Sequence, residues 1–498
     1  MRSTRRAARL NFSVLARGAR VTRWLCSGIE FRSGRRVTQT RPYGRESLSP
    51  LTNLLFKQFL DDDLGCACYL VGDEHAGIAV VVDPPYSIEA VLAEAERRDV
   101  RLVGVAETHT HADHVSGHGR LALEHGVPIH VHAAAGAAFP HEPLEDGTEI
   151  EVGEVVLRTI HTPGHRPEHC CFAVVDRSRG DEPWLVLTGD SLFVGDAARP
   201  DLAVEALDGS EGLYHSLRRL ADLGDGVEVF PGHVAGSLCG AAMSSKASTT
   251  IGFERRYNQA LVDTHEEFMA RAEGPLPPRP PNMETIVELN RGPLLGAQPP
   301  VAELDAAPDG AVLLDVREAH AYAAGHRAGA VNVPVAGSTF ATKAAFVLPE
   351  RSIVIEARDE AEAMSAAAGL RAVGIFELAG WRPAGGGERL EPVTVDELER
   401  RLAAGEIELL DVREAEERDA GFIPGSTHLP YRTARLAAEN GLCGERPIVT
   451  ICESGARAAI AASVLQAAGL DARPVLDGGI DEWRARGGET TSFRRCGA

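Results

Sequence analysis

Lysine is nearly missing from this chain: three stand against 48 arginines in 498 residues. That imbalance, with abundant Ala, Gly and Pro, looks like the codon bias of a GC-rich genome, a clue to origin and not to function. No run has the length and apolarity of a membrane span, so no membrane partner is expected. The nine cysteines are scattered without a disulfide framework, which argues for a reducing compartment. Positive charge is in deficit overall, with a formal net charge of −21, and this argues against nucleic acid or an anionic membrane surface as the main partner.

The length allows about three domains. Residues 1–47 stand apart as a basic leader: the first 46 carry twelve arginines against two acids, Glu30 and Glu46. Such a leader reads either as a mitochondrial transit peptide or as upstream sequence translated from a misassigned start in a bacterial gene. The second reading is favoured and goes with a cytoplasmic location. Taking its +10 from −21 leaves the body at about −31, strongly acidic.

From Leu54 onward the pattern is regular. Cys68 to Gly72 and Ile78 to Asp83 read as paired strands, and Ser87 to Arg98 as a helix with Ser87 as N-cap. Further strands are expected at Arg101 to Ala106, Ile129 to His132, Glu149 to Val152, Val155 to Ile160, Cys171 to Val175 and Leu185 to Leu187. Strands alternating with helices give a layered α/β domain. After the Arg101 to Ala106 strand comes Thr108-His109-Thr110-His111-Ala112-Asp113-His114, four ligand side chains in six residues. In an extended segment residues two apart point the same way, so His109 and His111 could share a metal. More ligand types follow beside glycines: His165 after Gly164, Asp190 after Gly189 and His233 after Gly232.

This set of seven resembles the metallo-β-lactamase superfamily over about Leu51 to Gln259, which implies a four-layer αβ/βα sandwich with metal at one sheet edge. Two longer motifs, Thr188 to Asp196 running into Ala197-Ala198-Arg199-Pro200-Asp201-Leu202, and Gly232 to Gly240, are similar to the persulfide dioxygenase branch. Glyoxalase II typically has Gly-His-Glu-Tyr-Thr where Val234-Ala235-Gly236 follows His233 here. The resemblance implies one Fe(II) held by His109, His165 and Asp190. His111, Asp113, His114 and His233 then orient those ligands or, in the alternative, complete a site for two Zn(II). Arg199 is a candidate for a substrate carboxylate, with a structural ion pair as the equal alternative.

Pro275 to Pro281 reads as a semi-rigid linker. Beyond it Leu313-Leu314-Asp315-Val316-Arg317-Glu318 returns as Leu409-Leu410-Asp411-Val412-Arg413-Glu414, a repeat spaced for two copies of a small parallel α/β domain. In the second copy the strand Pro447 to Ile451 leads into Cys452-Glu453-Ser454-Gly455-Ala456-Arg457. A cysteine there faces inward-pointing backbone N–H groups, and these with Arg457 are expected to favour a thiolate. Cys-x-x-Gly-x-Arg with the Asp-Val-Arg element resembles the rhodanese family, which implies that Cys452 carries sulfane sulfur as a persulfide. The first copy has Ala357 at the matching place and is expected to be catalytically silent.

The expected organisation is therefore a leader (1–47), a metallo-β-lactamase-like domain (50–272), a linker (273–295) and two rhodanese-like three-layer α/β domains (296–388 and 389–495). The expected activity is O2-dependent oxidation of glutathione or another thiol persulfide to sulfite, coupled to sulfur transfer at Cys452 with sulfite or a thiol as acceptor. A homodimer is left open. The rivals are a zinc thioester hydrolase of glyoxalase II type and a sulfur-carrying module with an idle metal domain.

Overall fold

Two strands buried on both faces explain the layers of the N-terminal half. Along Ala67–Asp73, Cys68 and Leu70 join a core with Val91, Ala95 and Leu121, whereas Ala67, Tyr69 and Val71 join a second core with Phe172, Val174 and Leu187. Along Cys170–Asp176, Cys170, Phe172 and Val174 enter that second core, and Cys171 and Ala173 a third with Leu213 and Leu217. A pleated strand sends alternate side chains to opposite faces, so such runs separate a helix layer from an inner core. The computed structural model describes residues 52–200, 206–234, 243–272, 279–442 and 446–493. The basic leader, residues 201–202 and 235–240 of the quoted motifs and residues 273–278 of the linker lie outside the described residues.

The first sheet has six strands in chain order: Leu54–Leu60, Ala67–Asp73, Ile78–Val82, Arg101–Ala106, Ile129–His132 and Glu142–Leu144. The second runs Thr249–Thr250, Glu228–Pro231, Leu185–Gly189, Cys170–Asp176, Val155–His161 and Glu149–Val152. Helices Glu89–Arg98 and His118–His125 cover the first sheet, and Ala206–Ala221 covers the second, giving the αβ/βα sandwich. The first helix differs from expectation, because it starts at Glu89 with Ile88 at its N-cap and no side-chain cap. The Pro84-Pro85 turn is tied instead to residues 116 and 117, with Gly117 N–H donating to Pro84 C=O at 2.9 Å, so the chain turns helical past Ser87.

The two repeats build matching four-stranded parallel sheets. One is ordered Val331–Asn332, Val312–Asp315, Ile353–Ala357, Leu378–Pro383; the other Thr427–His428, Glu408–Asp411, Ile448–Ile451, Ala472–Pro474. Ala357 ends the third strand of the first copy, where Cys452 follows the third strand of the second.

One apolar core runs from Leu64, Cys66 and Val115 of the sandwich through Phe340 and Ala344 of the first repeat to Cys452 and Ile460 of the second. A polar clamp reinforces it. Asp63 accepts from Thr339 N–H through its carbonyl (3.0 Å) and from Phe340 and Ala341 N–H through its carboxylate (2.9 Å for Ala341), satisfying orphan donors at the start of helix Phe340–Val347. Asp63→Ala strips both side-chain contacts and should cost about 1–3 kcal/mol. The check is a lowered melting temperature by circular dichroism; an unchanged value would mean the clamp contributes nothing.

Candidate metal centre and sulfur site

The ligand-type residues gather where strands end. His109 to His114 follow Arg101–Ala106, His165 lies between Val155–His161 and Cys170–Asp176, Asp190 follows Leu185–Gly189, and His233 follows Glu228–Pro231. The last two strands are parallel, so their ends lie side by side, with Gly232 N–H donating to Gly189 C=O at 2.8 Å. A Cβ at position 232 would stand 2.6 Å from Asp190 Oδ1, so only glycine allows this approach.

His109, His165 and Asp190 are fully buried, and one ligand atom of each lies within 4.8 Å of the other two. Their hydrogen bonds show which atoms are bare. Thr108 Oγ1 donates its proton to Asp83 Oδ2 (2.8 Å), so at 2.9 Å it can only accept from His109 Nδ1–H. That leaves His109 Nε2 as a lone pair, buried without a partner. His165 Nδ1–H donates to the Arg199 carbonyl (3.0 Å), turning Nε2 toward Asp190 Oδ2, 3.7 Å away. Asp190 Oδ1 accepts from His233 Nδ1–H at 2.6 Å, and Oδ2 is a second buried atom without a partner.

Burial, reinforced by the neighbouring imidazoles, drives His109 well below its ordinary pKa. Burial also lowers His165, and both are neutral donors near pH 7. Burial opposes the charge of Asp190, yet His233 and His165 hold its carboxyl below the usual range. Two neutral imidazoles and one carboxylate, two of them with orphaned buried lone pairs, fit a divalent cation of Fe(II) or Zn(II) type.

The other four candidates fall elsewhere: Asp113 and His114 group with Cys66, and His111, whose two ring nitrogens also lack hydrogen-bond partners, groups with Asp83 and Glu107. His233 lies between two carboxylates, with Nε2 2.7 Å from Asp113 Oδ2. Asp113 Oδ1 meets His114 Nδ1 at 3.2 Å, and the Cys66 thiol lies 3.3 Å from Asp113 Oδ2, 3.2 Å from His233 Nε2 and 3.6 Å from His114 Nδ1. His111 places Nε2 3.2 Å from both Asp83 Oδ1 and Glu107 Oε2. Burial opposes its charge, but those two carboxylates push its pKa well up. The His109 and His111 rings are neighbours, 4.2 Å between centroids, but their ligand atoms group with different partners, because residues 107–114 form a loop and not a strand, so the two-residue period does not apply. Arg199 is buried, and its carbonyl holds His165.

At the other site Cys452 is 1% exposed, and Gly455 N–H donates to its Sγ at 3.1 Å. Gly455 has φ +111°, and a Cβ there would overlap the Leu476 carbonyl oxygen. The Arg457 fork does not bind the sulfur; both its terminal nitrogens hold Glu417, each at 2.6 Å.

Comparison with known proteins agrees with this architecture. Residues 61–233 match the metallo-beta-lactamase superfamily, and residues 394–486 match the rhodanese-like domain. An uncharacterized protein of Mycobacterium tuberculosis is 31% identical over 224 residues, covering 40% of this chain and 93% of the relative. The chain belongs to the metallo-beta-lactamase superfamily. The mitochondrial persulfide dioxygenase ETHE1 of Bos taurus is 28% identical over 263 residues, covering 52% of this chain and 93% of that protein. A solved metallo-beta-lactamase from Staphylococcus aureus superposes with a TM-score of 0.62 at 27% identity, covering 66% of this chain and 99% of its own.

Within this superfamily member, sequence reasoning missed Cys66, Asp83, Glu107 and His169. Asp83 carried a signal, since it stands just past a strand and before Pro84-Pro85, as the other site residues follow theirs. Cys66 carried none, because nothing local places it beside His233. Burial lowers His169 to about 3 and keeps it neutral beside the His109 ring, 5.2 Å between centroids. His165→Ala and Asp190→Ala should each lose bound metal on gel filtration, read by elemental analysis. Asp113→Asn should lose far less, and equal loss in all three would contradict the division of roles drawn above.

Proposed function

We propose that this protein is a persulfide dioxygenase joined to a sulfurtransferase. One observation supports a catalytic metal at this place: His109 Nε2 and Asp190 Oδ2 are bare and converge with His165, whereas Asp113, His114, His233 and Cys66 bond one another and the bare nitrogens of His111 lie in a separate group with Asp83 and Glu107. A ferrous ion held by His109, His165 and Asp190 would supply open positions at which O2 and a persulfide sulfur can meet. The chain's own part is to keep both imidazoles neutral and fixed in one tautomer, through Thr108 and the Arg199 carbonyl. It also keeps Asp190 ionised through His233. In the overall reaction the sulfane sulfur of a thiol persulfide gives four electrons to O2. It gains both oxygen atoms of O2 and one from water, leaving as sulfite while the thiol is released.

Cys452, cradled by Gly455 N–H, would take sulfane sulfur as a persulfide and pass it to sulfite or a thiol. The first repeat, with Ala357 in place of that cysteine, is read as a rhodanese-like copy without this chemistry. A second reading, a dinuclear zinc thioester hydrolase, draws on the seven donors gathered at one edge; a zinc-activated water would be its nucleophile.

The deciding experiment gives iron-loaded protein glutathione persulfide and follows O2 uptake and sulfite together. Uptake should be rapid and should fall at least about a hundredfold in His165→Ala. Thioester hydrolysis by zinc-loaded protein, without O2 uptake, would replace the dioxygenase reading with the hydrolase.

A further inference from the structure

The loop that carries His109 to His114 is buried from Thr108 to Ser116, with Asp113 alone partly exposed. A buried loop has no strand ladder to take up its backbone groups, so each must be answered from elsewhere. Four of those answers come from beyond residues 61–233. Asn290 Nδ2 donates to the His111 carbonyl at 3.0 Å and to the His114 carbonyl at 2.8 Å, and its Oδ1 accepts from Ser116 N–H at 2.8 Å. The fourth is the Ala372 carbonyl of the first repeat, which accepts from Val115 N–H at 2.7 Å.

Asn290 is 6% exposed, and both donors and the acceptor of its amide are engaged on this one loop. It stands in the last turn of helix Met283–Arg291, within the segment that reads along the chain as a linker. That helix is fixed at both ends. Asn282, just before it, donates through Nδ2 to the Val373 carbonyl at 2.6 Å, and Ile286 enters the core shared with Val115 and the first repeat. At the far end Arg291 Nε donates to the Ala135 carbonyl (3.1 Å), and the Arg291 carbonyl accepts from Ala138 N–H (2.7 Å). The first repeat thus holds one end of the helix and the sandwich holds the other.

We propose that Asn290 is a positioning residue for the metal centre: seated on the first repeat, it sets the shape of the loop that presents His109. This rests on the reading of His109, His165 and Asp190 as the metal site. Thr108 N–H is tied to Asp83 on one side of His109, and the His111 carbonyl to Asn290 on the other. Without the Asn290 amide, two buried carbonyls and one N–H lose their partner, and the loop must shift to find others. His109 Nε2 then moves relative to His165 and Asp190, which follow strands of the other sheet. The first repeat has here a task that needs no cysteine.

The test uses the full chain and cobalt(II), a spectroscopic stand-in for iron. Affinity is measured in competition with a chelator, and the visible cobalt bands are recorded beside the melting temperature of the metal-free protein. Asn290→Asp keeps the acceptor and removes both donors; Asn290→Ala removes all three without adding a charge. Each should weaken cobalt binding about tenfold to a hundredfold and shift the visible bands. Leu289→Ala, on the same helix, trims the apolar seat beside Gly374 and leaves the loop contacts in place, so it should lower the melting temperature with affinity and bands unchanged. Wild-type affinity and bands in both Asn290 variants would overturn the proposal. An equal loss in Leu289→Ala would overturn it too, because general destabilisation would then account for the effect. Undiminished cobalt binding in His165→Ala would instead remove the metal reading itself, and the proposal with it.

Discussion

The hydroxyl of Thr108 has one proton to give, and Asp83 takes it. That donation fixes the tautomer of His109. Thr108 can then only accept from His109, whose other nitrogen is left bare at the sheet edge. Asp83 also accepts from Thr108 N–H at 2.7 Å, while sitting at φ +50°, a backbone conformation uncommon for a non-glycine residue. The same carboxylate faces His111 at 3.2 Å, so one residue fixes a tautomer and groups with a second histidine.

Bare lone pairs and carboxylates inside a protein are costly unless something answers them. Pairing answers part of the cost here: Asp190 with His233, His233 with Asp113, and Glu107 with His118 at 3.0 Å. His109 Nε2 and Asp190 Oδ2 remain without hydrogen-bond partners and converge with His165, whereas the equally bare nitrogens of His111 and Glu107 Oε2 lie in a neighbouring group with Asp83. The sandwich makes this convergence possible, because both sheets bring strand ends to one edge and glycine at 232 lets two of those ends nearly touch.

Residues 61 to 66 touch both the candidate metal centre and the first repeat. Asp63 clamps the start of helix Phe340–Val347, and three residues later Cys66 lies against Asp113, His114 and His233. The other end of that helix meets Tyr431 beside the second repeat.

Much of this was open to reading along the chain. Strand alternation, the cluster from His109 to His114, the glycine-flanked His165, Asp190 and His233, and the repeated Leu-Leu-Asp-Val-Arg-Glu element are local patterns, and local patterns survive in one dimension. They suffice for the α/β layers and for which side chains gather at the sheet edge. The division of labour among those side chains is not local. His111 belongs with Asp83 and Glu107, and His233 bridges two carboxylates, because loop geometry and neighbouring strands decide where an imidazole points. Likewise no spacing announces Cys66 beside His233. By itself the sequence determined which ligand-type side chains are present and near which strand ends. Only the tertiary structure decided which donors are left bare and which are tied, because every hydrogen bond that ties one comes from elsewhere in the fold or from the exact turn of its loop.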